Sequence, residues 1–173
     1  MSQIALRAAT QTDIPALSRL ATASFVDKFG PMYSAQDLAD FLGEVMSERA
    51  IAAEIANPAR LYRLATRDGE LAAYCKLGLV CGFPEHARGS NVLELKQLYT
   101  APGLIGGGIG TLLMDWAMAE FAARAADEVQ LSVWSGNLGA QKFYTRYGFE
   151  KIADTTFRVG GQLDEEFLFA KML

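Results

Sequence analysis

Leu98-Tyr99-Thr100-Ala101-Pro102-Gly103-Leu104-Ile105-Gly106-Gly107-Gly108-Ile109-Gly110-Thr111 joins an apolar, β-favouring segment to an amphipathic helix through a loop rich in glycine. A loop of this kind leaves backbone N–H groups bare at a helix N-terminus, where the partial positive charge favours an anion such as phosphate. Glycine suits the task because a Cβ would hold the ligand away and because such loops often require φ > 0. The stretch therefore implies a phosphate-bearing ligand held where a strand turns into a helix.

Working outward, residues 92–100 read as the strand, and the helix after the loop buries Ile109, Leu112, Leu113, Trp116, Ala117 and Phe121. Residues 129–134 form a further strand. Asn137 caps a helix through Tyr144 that stops at Gly148, and residues 155–159 and 166–173 close the chain as a hairpin about Gly160-Gly161. Upstream, residues 4–8 make a short first strand. Thr12 caps a helix whose stripe is Ile14, Leu17, Leu20, Ala21 and Phe25, broken at Phe29-Gly30-Pro31. Ser34 with Asp37 resembles a capping box opening a second helix, with Leu38, Phe41, Leu42 and Val45 on one face, and Ser47 caps a third. Residues 61–66 and 71–80 flank Asp68-Gly69 as a hairpin, and residues 82–91 are a loop. This order predicts an α/β fold (α+β in its mixed sheet) with helices packed on the sheet, as one domain over residues 1–173.

The 173 residues are 51% hydrophobic and 21% charged, with a formal net charge of −4. No basic footprint for nucleic acid exists, while a mild acidic excess suits a cationic substrate. Cys75 and Cys81 read as buried thiols of a reducing compartment, not as a disulfide or a metal pair. His86, the only histidine, sits in a polar loop between Glu85 and Arg88 and reads as solvent-exposed, with no metal site around it. No apolar run reaches membrane-spanning length and the start lacks a signal-peptide pattern, so a cytoplasmic protein without a membrane partner is expected.

Two familiar phosphate loops fail on spacing. A dinucleotide fingerprint GxGxxG would need glycine at Thr111 or at Leu113, and a nucleoside-triphosphate loop would need a lysine that Gly110-Thr111 lacks. Ile105-Gly106-Gly107-Gly108-Ile109-Gly110 instead resembles the Gln/Arg-x-x-Gly-x-Gly/Ala motif of the GNAT family of N-acetyltransferases, with Gly108 and Gly110 as its two glycines. Ile105 departs from the family's Gln or Arg, which removes one polar side chain near the pyrophosphate but leaves the amide cradle. Downstream, the run from Asn137 through Ala140, Phe143-Tyr144 and Gly148-Phe149 is similar to the family's Asn-x-x-Ala-x-x-Phe-Tyr-x-x-x-Gly-Phe segment. Two motifs in this order are more specific than either alone. The residues Phe25, Asp27-Lys28-Phe29-Gly30, Tyr33, Asp37-Leu38, Glu94 to Tyr99 and Phe157 further resemble the bacterial PaiA-type group, which acetylates spermidine and spermine.

The resemblance implies the acyl-CoA N-acyltransferase fold and acetyl-CoA as cosubstrate, held by Leu98, Tyr99, Thr100, Ile105, Gly106, Gly107, Gly108, Ile109, Gly110, Thr111 and Asn137. It implies transfer of acetyl to a primary amine, a polyamine among the candidates, by direct attack in a ternary complex. A protein N-terminus, an aminoglycoside-type amine, or a non-catalytic acetyl-CoA sensor remain alternatives, and a homodimer is common in the family. Tyr144 matches the general acid for the CoA thiolate; a phenol with a pKa of about 10 stays protonated at neutral pH, although a core aromatic on an amphipathic helix explains it too. Glu94, four residues before Leu98, matches the catalytic glutamate of the histone-acetylating branch, or is a solvated partner of Lys96. Asp27, Asp37, Asp40 and Glu44 either line a polyamine site or form a solvated face.

Overall fold

The computed structural model describes residues 2–173. The chain runs β1 (Ile4–Ala8), α1 (Ile14–Phe29), α2 (Ala35–Phe41), α3 (Glu48–Ala56), β2 (Arg60–Arg67), β3 (Glu70–Gly78), β4 (Val92–Thr100), α4 (Ile109–Ala123), β5 (Glu128–Trp134), α5 (Leu138–Arg146), β6 (Glu150–Val159) and β7 (Gln162–Met172). The strands form one mixed sheet in the order β1-β2-β3-β4-β5-β7-β6, in which only β4 and β5 are parallel. A parallel pair needs a crossover, and α4 supplies it. Among the described residues no helix is long and apolar enough to cross a membrane.

The sheet separates two apolar cores. On one face Ile109, Leu113, Met114, Ala117 and Phe121 of α4 pack on Cys75, Leu93, Leu95, Leu131 and Val133. On the other, Leu17, Leu20, Ala21 and Phe25 of α1 join Phe41, Met46 and Ile51 against Tyr62, Leu64 and Tyr74. The mixed α/β architecture expected from the sequence is thus present, and the strand at 92–100 has the expected limits.

Several local expectations shift. Thr10, not Thr12, stands at the entry to the first helical segment, its N–H donating to Asp13 Oδ2 at 2.8 Å. A short 3-10 turn at Gln11–Asp13 precedes α1, which displaces the cap upstream. In α4 the buried stripe steps by four residues from Ile109 to Phe121 with Met114 beside it, which turns Leu112 outward to 42% exposure. Cys81 lies past the end of β3 and is only half-buried, unlike Cys75. His86 is half-buried in a 3-10 turn, not fully exposed.

Two irregularities in the middle of the sheet interrupt its regular pairing. Lys76 pairs with Gln97 and Leu77 with Leu95, so Lys96 is an extra residue that bulges β4. Beyond the bulge the alternation reverses: Leu98 faces the α4 core and Tyr99 the α1 core. Secondly, β4 and β5 pair only from Val92↔Glu128 to Glu94↔Gln130, although β4 continues to Thr100 and β5 to Trp134. The strands part there. The β4 backbone edge from Leu95 onward is left without a β5 partner.

Candidate active site

A cavity of about 570 Å³ opens where β4 and β5 part. Its lining comes from both sides of the sheet: Leu98, Leu104, Phe143 and Tyr144 belong to the α4 core, and Phe25, Phe29, Tyr33, Tyr99 and Phe157 to the α1 core. The cavity is therefore a passage through the sheet, with a mouth on each face.

The glycine loop forms one mouth. Gly106 and Gly108 have φ of +87° and +82°, a left-handed region that costs other L-residues about 1–2 kcal/mol. Gly108 stands immediately before α4. The first helical bond there is from Leu112 N–H to Gly108 O at 3.2 Å, so the amides of Ile109, Gly110 and Thr111 have no acceptor within the helix. A Cβ added at Gly106, Gly108 or Gly110 would meet no protein atom within 4 Å. These glycines are not forced by crowding from the chain; they keep open a surface onto which backbone amides point. That surface fits a diphosphate, and the unpaired β4 edge beside it suits an extended amide-bearing chain such as pantetheine. The residues present thus fit coenzyme A.

Most residues singled out from the sequence line this passage: Leu98, Tyr99, Thr100, Ile105, Gly106, Gly108, Gly110, Thr111, Asn137 and Tyr144. Three do not. Ile109 turns its side chain into the α4 core, leaving only its amide at the loop. Gly107 already donates its N–H to Leu104 O at 3.4 Å. Glu94 sits at the last paired position of β4, below the point where the strands part. Its carboxylate bonds Lys96 Nζ at 3.2 Å, and it is covered by Gly82, where a Cβ would stand 2.2 Å from Glu94 Oε2. Counting back from the glycine loop ignores the bulge at Lys96, which puts Glu94 and Leu98 on opposite faces.

Asn137 caps α5 by accepting from Ala140 N–H at 3.2 Å through Oδ1, so its side-chain amide nitrogen remains free at the cavity. Tyr144 is held edge-on by Phe143 and Phe149. Burial raises its phenol above the ordinary value, with the nearby Cys75 adding to the effect, so it stays protonated across the working range. Burial likewise pushes the Cys75 thiol up to about 12, which leaves no thiolate there at neutral pH.

The second mouth is acidic and aromatic. Of the four acids considered from the sequence only Asp27 reaches it. Asp37 instead accepts from Gly161 N–H at 2.6 Å and pins α2 to the β6–β7 turn, and Asp40 accepts from Gln36 at 2.7 Å. The carboxylates that sequence reasoning missed are Asp164 and Glu166, alternate residues of β7 on one face. Asp164 Oδ2 accepts from the Tyr33 hydroxyl and Oδ1 from Gln162 Nε2 at 2.7 Å. Burial raises the Glu166 pKa; the Ser132 hydroxyl opposes this and the Asp164 charge adds to it. Phe29 meets Trp134 edge-on beside them at 6.2 Å. Carboxylates with aromatic faces form a setting for an organic cation.

The sequence profile of the acetyltransferase (GNAT) family matches residues 22–149. An uncharacterised N-acetyltransferase of Lactobacillus delbrueckii subsp. lactis is 27% identical over 173 residues, covering 100% of this chain and 99% of its own. One from Mycobacterium tuberculosis is 29% identical over 163 residues, covering 94% and 99%. Among solved structures, a PaiA N-acetyltransferase from Thermoplasma acidophilum in complex with coenzyme A superposes with a TM-score of 0.81 at 23% identity, over 99% of both chains.

Proposed function

The chain belongs to the GNAT family of acetyltransferases and is an acetyl-CoA-dependent N-acetyltransferase, and from that premise we propose that it acetylates a primary amine of polyamine type by direct attack in a ternary complex. The observation carrying this reading is the passage through the sheet, with an amide cradle at one mouth and Asp27, Asp164 and Glu166 with Phe29 and Trp134 at the other. Bound acetyl-CoA supplies an activated acyl group on a thiol leaving group.

Each part of the passage has its own task. The amides of α4 and the free β4 edge hold the cosubstrate, and the acidic mouth holds a cationic acceptor by charge and aromatic contact. Tyr144, which lines the passage and keeps its phenol protonated, is the donor for the departing sulfur in this reading. Direct attack is favoured because Cys75 carries no thiolate and Cys81 lies outside the passage, so no thiol is placed to form an acyl-enzyme. Three carboxylates at the acceptor mouth favour an amine with further positive charges over a peptide terminus, whose α-ammonium brings a single charge.

Thiol release from acetyl-CoA, measured with spermidine and spermine beside aminoglycosides and peptide N-termini, tests the acceptor. Release fastest with the polyamines is expected. Preference for peptide termini, or CoA binding with no amine-dependent release, would overturn the proposal.

Ile105 gives a smaller, independent prediction. Its side chain is 66% exposed beside the cradle. Replacing it by arginine puts a guanidinium near the diphosphate site in a solvated position, worth about 0.5–1 kcal/mol. Ile105→Arg should tighten acetyl-CoA binding about two- to fivefold by calorimetry, with the gain fading at high salt.

A further inference from the structure

Resting on the amine acetylation proposed above, we infer that Glu166 receives the proton the acceptor's ammonium must lose, with Asp164 as its positioning neighbour and not as the base.

Glu166 stands on β7 opposite Trp134 of β5, at the level where β5 has already left β4, and it faces the passage. Ser132 from β5 and Asp164 from β7 face it directly, and Tyr99 from β4 and Tyr33 from the α1–α2 link lie in its field. Asp27 and Lys28 of α1 line the same space. Lys96 of β4 lines it too, but its ammonium is engaged by Glu94. Glu166 is thus a carboxylate at the acceptor mouth with no cation among the described residues paired to it.

Asp164 differs. Each of its oxygens already accepts a hydrogen bond, from Tyr33 and from Gln162, which holds the carboxylate in a fixed orientation. It ties the α1–α2 link to β7, and its charge adds to the upward shift of Glu166. Glu94 is excluded by position, because it lies under Gly82 below the parting of the strands.

The proton balance is simple. An acceptor ammonium gives one proton to a Glu166 oxygen, leaving a neutral carboxylic acid and an amine with a free lone pair. That nitrogen forms the bond to the acetyl carbon as the carbon–sulfur bond breaks, and the Tyr144 hydroxyl protonates the sulfur. The second proton, shed by the acetylated nitrogen, returns through water to the Tyr144 phenolate, and Glu166 gives the first to solvent as the products leave. An alkylammonium has a pKa of about 10.4, and a carboxylate raised by burial and by Asp164 narrows the gap it must cross.

The test is the pH dependence of kcat/KM for the wild type, Glu166→Gln, Glu166→Asp and Glu94→Gln. Glu165→Gln, exposed on the opposite face of β7, serves as the control. Whichever amine of the panel turns over fastest is used, so a wrong choice of polyamines shows in the panel and not in this profile. Glu166→Gln should lower kcat/KM about 10²-fold near neutrality and replace the wild type's acid limb by one that follows the amine's own titration, with the deficit shrinking above about pH 9 as free amine accumulates. Glu166→Asp should recover part of the activity.

A purely structural role predicts otherwise in two further readouts. Acetyl-CoA affinity by calorimetry should be unchanged in Glu166→Gln. Its melting temperature at neutral pH should equal or exceed the wild type's. The sign comes from the raised pKa: in the window above the unfolded carboxylate value the native state holds the extra proton, so the ionised side chain costs stability as pH rises, and glutamine removes that cost. An acid limb that stays at the wild-type pH in Glu166→Gln whatever the amine, or one displaced in Glu94→Gln instead, overturns the inference.

Discussion

Gly110→Asp is expected to fold as well as the parent chain and to bind acetyl-CoA about 10³-fold more weakly. Gly110 lies in the first turn of α4, and a Cβ there meets nothing within 4 Å. Its φ is not in the left-handed region, so a side chain brings no backbone strain. Aspartate has a higher helix propensity than glycine and, in a first turn, complements the helix dipole by about 0.3–1 kcal/mol. Stability should therefore hold or rise. The same carboxylate stands at the cradle where a diphosphate would sit. At a separation of about 5 Å and an effective dielectric of about 20, two like charges repel by about 3 kcal/mol. A blocked amide hydrogen bond adds about 1 kcal/mol, which brings the total to the stated factor. Calorimetric titration gives the affinity, and a melt with and without acetyl-CoA gives both stability and ligand stabilisation. A variant that loses stability, or that keeps its affinity, would show that the open face of this loop is not the anion site.

Legibility in the sequence divides along the same line as the two mouths of the passage. The donor mouth is built from backbone geometry that local residue choice enforces: only glycine sits comfortably at the φ values of 106 and 108, and Asn137 is an N-cap by its chemistry. Such features are written in short runs and read without the fold. The acceptor mouth is assembled from α1, the link after it, β5, β6 and β7, so no short run displays it. Asp164 was obscured by a boundary. With the last strand begun at 166, the alternation of Asp164 with Glu166 is lost, whereas β7 begins at Gln162. Glu94 lies off the lining of the passage for a different reason: one bulged residue at Lys96 reverses which side chains share a face, and nothing in Leu95-Lys96-Gln97 announces a bulge. The α4 stripe also drifted, since Leu112 and Met114 are both apolar and only packing decides which is buried.

Tyr144→Phe is expected to lower kcat about 10³-fold while leaving acetyl-CoA affinity and stability nearly unchanged. The ring is fixed by Phe143 at 5.4 Å and Phe149 at 6.2 Å between centroids, contacts that phenylalanine keeps. The substitution removes one hydroxyl inside the passage, and no hydrogen bond to another group enters into its raised pKa. Deleting a polar group without stranding a partner is close to neutral for folding. The raised pKa also sets its direction of action. Below that value the phenol is protonated, so through the working pH range Tyr144 gives a proton and does not take one. The deficit should therefore be largest at low and neutral pH and should narrow above about pH 8.5, where a free thiol ionises and its thiolate needs no proton to depart. Glu166→Gln narrows at high pH as well, but through the acceptor's titration near a pKa of about 10.4. Amines of different basicity separate the two: the pH at which the Glu166→Gln deficit closes should move with the amine, and that of Tyr144→Phe should stay where it is. A Tyr144→Phe variant with wild-type kcat at all pH values would assign the hydroxyl to packing and leave the sulfur to be protonated by water.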